Sequence, residues 1–343
     1  MAAMKKSRRT RLALELLECR VVPATFIVSR SDDDNTTPTV STPNLSLRQA
    51  IFLANQDSDP SSTINIQVPV CRLTIANTAG GQDNENLYGD LDLTKAEHTY
   101  IIQQVNPTSP VTISQTQSDR VFQVFPGVKV QFNNVTINGG KAVDDGTQGA
   151  QPGKTNAMGG GILGRIPTND YGSTVILQGS EISGNSAIAS ENFNAQGGGI
   201  HLDVGNSRED WLGVKLSNAK VQKNTVQAGN GGNGNFGGQA SGGGISLNQG
   251  QIGVEGDSLI ANNTVTAGNG GSPVSLGSVN GALGGTSLGG GVYMAKGIFI
   301  VNGQLTMQGN SALGGNGSAG IVISNKGVES VGNGGGGGSS GSG

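Results

Sequence analysis

Residues 195–204 read AQGGGIHLDV. Three glycines stand directly before a run in which Ile200, Leu202 and Val204 alternate with His201 and Asp203, the period of a strand with one buried face. Glycine weakens a strand, because it has no side chain to pack and the most backbone freedom to lose. Three together therefore require a reason, and the reason must recur. The same three glycines, followed by a β-branched aliphatic residue, stand at Gly159–Ile162, Gly242–Ile245 and Gly289–Val292.

A second marker accompanies the first. An Asn follows an aliphatic residue by three positions at Val135/Asn138, Ile182/Asn185, Val221/Asn224, Ile260/Asn263 and Met307/Asn310, and successive asparagines lie 47, 39, 39 and 47 residues apart. From the residue after each Gly triplet to the next marker Asn the distances are 23, 24, 18 and 18, whereas from each Asn to the next triplet they are 21, 12, 18 and 26. Most of the length variation falls in the second interval, which holds the loop-type stretches GNGGNGNFGGQASG (229–242) and GNGGSPVSLGSVNGALGGTSLG (268–289). A constant structured unit alternating with a variable surface loop is expected. Inside the unit, Val175, Leu177, Ile200, Leu202, Val214, Leu216 and Val221 fall at alternate positions and form the expected core.

Three short strand signals per unit are what one turn of a right-handed parallel β-helix requires. One turn cannot bury its own inner face, so units must stack and the ends need caps. The expected fold is all-β: a right-handed parallel β-helix with a short N-terminal capping helix and Gly-rich loop insertions. Glycine suits the bend where a loop re-enters the stack, and Asn138, Asn185, Asn224, Asn263 and Asn310 are expected to form a structural ladder of side-chain amides at the following corner.

Composition agrees with a regular, aliphatic interior. The 343 residues include 59 Gly, and only 4% are aromatic and 13% charged. Residues 1–24 hold six of the 21 Lys and Arg and two of the 24 Asp and Glu, so the rest carries 15 basic and 22 acidic residues, a net −7. An acidic body without a basic stripe argues against nucleic-acid partners. Cys19 and Cys71 are too few for a disulfide framework or a Cys-based zinc site, and no cofactor or metal is expected.

Four segments follow: an export segment (1–24), an N-terminal cap with the first strands (25–98), the repeats (99–330) and a Gly/Ser-rich tail (331–343). The start is basic and ends in Pro-Ala, but Glu15, Glu18 and Arg20 interrupt its apolar stretch, so it reads neither as an ordinary signal peptide nor as a membrane span. Ser46 and Gln49 form a capping-box pattern before Leu47, Ala50, Ile51 and Ala54, which predicts a short amphipathic helix.

LELLECRVVPA (14–24) resembles the N-terminal Leu-Glu-x-Arg-x-x-Pro-Ala motif of planctomycete extracellular proteins. That resemblance implies a secreted or cell-surface location. SLRQAI (46–51) is similar to the Ser-Leu-Arg-x-Ala-Ile entry segment of bacterial surface β-helix domains, with Gln49 where Glu is common. The Gly-Gly-x-Ile and Asn markers resemble the repeats of polymorphic outer-membrane proteins, and nothing in the chain resembles their C-terminal membrane barrel. These resemblances imply a structural or adhesive surface protein whose partners are surface polysaccharide or other surface proteins.

The alternative is a polysaccharide lyase or glycoside hydrolase. Such sites need paired carboxylates or a carboxylate-bound Ca²⁺ on one face. The only dense polar cluster in the repeats is HLDVGNSRED (201–210), and the candidate catalytic residues are His201, Asp203, Glu209 and Asp210, with His201 and Asp203 expected outward. The positions matching Asp203 in the other units are Arg165, Asn248 and Ala295, so no second carboxylate is repeated beside it. GGQDNENLYGD (80–90) reads as an acidic turn and DDD (32–34) as a solvated linker.

Overall fold

The computed structural model describes residues 23–77, 81–105, 110–164, 172–203, 213–273, 280–319, 322–325, 328–331 and 336–339. Residues 1–22 of the expected export segment, Val204 and most of the tail lie outside them. Ala24 already opens the strand Ala24–Val28. Among the described residues the regular structure is β apart from one helix, and nearly all of it is parallel.

Each strand pairs with its counterpart one repeat away, which is why the sequence period survives as strand register. Val130 lies opposite Val175, and Val175 opposite Val214. Leu216 in turn lies opposite Val254. One ladder runs through Ala24–Val28, Ser61–Ile66, Thr99–Gln104, Lys129–Asn133, Thr174–Gln178 and Val214–Ser217. A second, formed by the strands after the glycines, runs through Leu91–Leu93, Phe122–Val124, Ile162–Gly164 and Ile200–Leu202. Ile245–Glu255 is a single 11-residue strand that pairs with both ladders and joins them into one 12-stranded sheet. The shorter triplet-to-Asn interval in that unit is the sequence counterpart of this fusion. A seven-stranded sheet from Val70–Leu73 to Gln304–Gln308 forms another wall.

The inward positions form one continuous core. Val175, Leu177, Ile200, Leu202, Val214, Leu216 and Val221 are all fully buried within it. At the N-terminal end, helix Leu47–Gln56 covers it with Leu47, Ala50, Ile51, Leu53 and Ala54. The capping box is present: the Ser46 hydroxyl accepts from the Gln49 N–H while the Gln49 side chain accepts from the Ser46 N–H. In the last repeat Phe299, Val301 and Met307 lie opposite the buried Ile252, Val254 and Ile260, yet are exposed.

The interval between Asn and Gly triplet is not a decorating loop. It contains two further parallel sheets, one from Lys141–Ala142 to Ser311–Leu313 and one from Ala157–Met158 to Ser287–Leu288. Between them lies a second, thin core made of Ala142, Ala157, Ala187, Ala195, Val226, Ala240 and Val265 with a few neighbours. The described residues of the Gly-rich stretches beyond are hydrogen-bonded too. Gly238 donates to the Gly229 carbonyl, Gly268 to Gly238, Gly285 to Gly268 and Gly315 to Gly285, a column of backbone bonds crossing successive repeats. Side chains are excluded there because backbone meets backbone directly; a Cβ on Gly229 would collide with the Ser190 carbonyl.

The three glycines have three different causes. The first of each triplet has left-handed backbone: φ is +64° at Gly159, +63° at Gly197, +62° at Gly242 and +59° at Gly289. The second passes against the main chain of the Ala-rich lobe, so that a Cβ on Gly198 would lie 2.6 Å from the Thr225 carbonyl oxygen. The third sits against a marker Asn: a Cβ on Gly199 would be 3.0 Å from the Asn224 amide nitrogen, and one on Gly244 3.0 Å from that of Asn263.

Candidate functional site

His201 does not face solvent. It is 1% exposed in the strand Ile200–Leu202, in register between Leu163 and Ser246, which are also buried. The strands after the glycines are covered on both faces, because the chain returning from the Ala-rich lobe crosses their outer side: a Cβ on Gly197 would lie 2.6 Å from that of His201. Alternation thus misplaces His201. Asp203 is half-buried and its N–H donates to the Gly164 carbonyl at 2.8 Å. Glu209 and Asp210 lie outside the described residues. The column through His201 is Asp92, Gln123, Leu163, His201, Ser246 and Tyr293, with no repeated acid–base pair.

The marker asparagines form a hydrogen-bonded column at the waist between the two cores. The Asn224 side-chain oxygen accepts from both the backbone N–H (3.0 Å) and the amide nitrogen (3.1 Å) of Asn185, while its own amide donates to the Ile182 carbonyl and to Asn263. Asn263 and Asn310 repeat the pattern. Asn138 is not a member. It lies opposite Ser183, and Gly140 occupies the ladder position, its N–H donating to the Asn185 oxygen at 3.0 Å. The correct counterpart of Ile182 is Ile137, not Val135, so the Val135/Asn138 spacing is two residues out of phase.

A second amide column escaped the sequence reading. The Asn230 side chain accepts from the Asn269 N–H at 2.9 Å, that of Asn269 from the Asn316 N–H at 2.8 Å, and that of Asn192 from the Gly232 N–H at 2.7 Å. Asn230, Asn269 and Asn316 each follow their marker Asn by six residues, a signal hidden within Gly-rich composition.

Among the described residues the first two repeats contribute no strand to the lobe, and a buried charged cluster stands at the corresponding place. Arg120, fully buried, bonds Asp144 and lies 3.4 Å from Asp90 and 3.6 Å from Asp119. Gln82 donates to Asp90, Gln115 to the Gly89 and Arg120 carbonyls, and Gln123 to the Gly146 carbonyl. Burial pushes Asp90 up to about 6 and holds Asp92 and Asp119 well above the ordinary carboxylate range. Asp83 does form an acidic turn, accepting from the N–H groups of Glu85, Leu87 and Tyr88. Of the expected solvated linker, however, Asp33 is buried and paired with buried Arg48, which also donates to the Gly89 and Asp90 carbonyls. Arg48 of the SLRQAI segment thus ties the helical cap to the first repeat. Among the described residues no group of three or more His, Cys, Asp or Glu side chains is arranged to hold a metal ion.

The most regular accessible polar feature is the outer face of the first ladder. Asn65, Gln103, Asn133 and Gln178 occupy one column in register. Gln103 donates to Asn65 at 2.9 Å and Asn133 to Gln103 at 3.1 Å; Gln131, in the adjacent column, donates to Asn133 at 2.9 Å and to Gln178 at 3.3 Å. Thr63, Ile101, Gln131 and Ile176 form that adjacent column. The neighbouring seven-stranded sheet differs: Glu181 and Lys220 stand in one column there.

Comparison with protein-family models, curated proteins and solved structures gives no match to the chain. No helix among the described residues is long and apolar enough to cross a membrane.

Proposed function

We propose that the chain is a non-catalytic right-handed parallel β-helix that works, secreted or at the cell surface, as a structural or adhesive element. The observation that carries this reading is that its polar regularity is spent on rigidity and presentation. One Asn column locks the waist, another locks the Gly-rich lobe, and the carboxamides of the outer face hold one another in register. A buried amide network that satisfies its own members fixes a single geometry. An acid–base site needs something else, accessible titratable groups placed against one another, and the burial of His201 takes one member of the candidate cluster away from substrate.

The resemblance of residues 14–24 to planctomycete export motifs supports the location. The activity test is incubation of the purified full chain, with Ca²⁺, with pectins, alginates and sulfated glycans. No cleavage product is expected. Product that disappears on joint replacement of Asp203 and Glu209 by Ala overturns the reading in favour of a lyase or hydrolase.

A further inference from the structure

We infer that the outer face of the first ladder is a binding face for a neutral, extended polysaccharide lying along the stacking direction; this deepens, and rests on, the adhesive reading above. Four consecutive strands present Asn65, Gln103, Asn133 and Gln178 in one column, with Gln131 beside them. Neighbouring rows are one inter-strand spacing apart, about 4.7–4.9 Å. The sugars of an extended glycan advance by a similar distance, so hydroxyl groups along it come within reach of the successive carboxamides.

Each carboxamide carries two donor hydrogens and an acceptor oxygen with two lone pairs. The bonds between rows use part of that capacity and fix the orientation of every amide, leaving the remainder directed to the face. Ordered groups lose less entropy when they bind, which favours affinity. Ile101 and Ile176, half-buried in the adjacent column, supply apolar patches between the amides that suit the C–H faces of sugar rings.

Charge and topology select this occupant over others. The face from Ser61 to Gln178 carries one ionic side chain, Lys129, among its outward positions, and Lys215 in the next row is paired with Glu255 at 2.7 Å. A polyanion finds no row of cations to neutralise it. An extended peptide binds a sheet through an unpaired edge, whereas the strands from Ser61–Ile66 to Thr174–Gln178 have neighbours on both sides. What remains is a ligand that recognises a flat, uncharged row of hydrogen-bonding groups by its hydroxyls.

The test is retention of the purified chain in affinity gels containing galactomannan, xyloglucan or mixed-linkage β-glucan, with alginate and pectin gels alongside. Retention by at least one neutral glycan is expected, unchanged in high salt, and weakened roughly tenfold or more when Gln103, Asn133 and Gln178 are together replaced by Ala, about the loss of one to two net hydrogen bonds. Glu181→Gln on the neighbouring sheet should leave retention as it was. Unfolding of the triple variant is checked by its melting temperature, and Gln178→Ala alone, at an exposed position, then serves in its place. Failure of every neutral glycan to retain the wild-type chain, retention by acidic glycans alone, or equal retention of the amide variants each overturns the inference. Because purified protein is used, none of these results bears on where the protein resides or on whether it cleaves a glycan.

Discussion

Replacing Asn224 by Ala tests the waist between the two cores. The side chain makes four hydrogen bonds, two accepted from Asn185 and two donated to Ile182 and Asn263. After truncation the Asn185 amide group still has the Ile137 carbonyl, and the Asn263 oxygen still has the Asn224 backbone N–H. One buried backbone group, the Asn185 N–H, loses its partner, while the Ile182 carbonyl stays in the ladder between Glu181–Ser183 and Lys220–Gln222. At about 1–3 kcal/mol for an orphaned buried group, the variant should lose about 1–3 kcal/mol. Asn138→Ala, outside the column and only half-buried, should change stability by less than about 0.5 kcal/mol. Urea titration followed by circular dichroism, with both variants compared at equal m-value, measures the difference. Equal costs for the two substitutions, or a near-neutral Asn224→Ala, would refute the assignment of the ladder.

Other consequences are equally direct. Folding raises the affinity of Asp90, Asp92 and Asp119 for protons, so the folded state binds more protons than the unfolded one and stability should fall as pH rises, for Asp90 from its ordinary 3.8 through about 6. Thermal melts across pH 4–8 read this out, and Asp119→Asn should flatten the profile; a stability that rises with pH over that range contradicts the cluster. Gly198→Ala should cost at least about 1–3 kcal/mol, since its Cβ must displace the Thr225 backbone; a neutral result means that the lobe does not pack there. Deleting 229–239 should remove one layer of the Gly-rich column and expose the Ala-rich core, so proteolysis should cut the variant within 186–196; a variant as resistant as wild type would restore the interval to the status of a plain loop.

Much of the architecture was legible because the period of the sequence becomes the register of the sheets. Val175, Leu177, Val214 and Leu216 could be placed inside from alternation alone, since strands of the first ladder have one face on the core and one on solvent. The same rule misplaces His201, because alternation carries no information about another segment of the chain crossing the outer face. Asn138 was misread for a related reason: a three-residue spacing looks the same when shifted by two, and only pairing with Ile182 fixes the phase. The Ala-rich lobe was hidden by composition. Its core is built from alanines, and its outer part from backbone bonds between glycines, so it lacks the hydrophobic contrast by which strands are ordinarily found. The Arg120 cluster escaped because its members are dispersed through residues 82–144 and meet only after two repeats have stacked.

The claim that this protein is secreted or displayed at the cell surface is tested most directly by treating an intact culture, cells and medium together, with a membrane-impermeant, amine-reactive reagent. Lys141 and Lys220, away from the amide face, are exposed and offer their amines to it. The account predicts modification of these lysines before lysis, to the same extent as in the purified chain. Modification only after the cells are broken would contradict it.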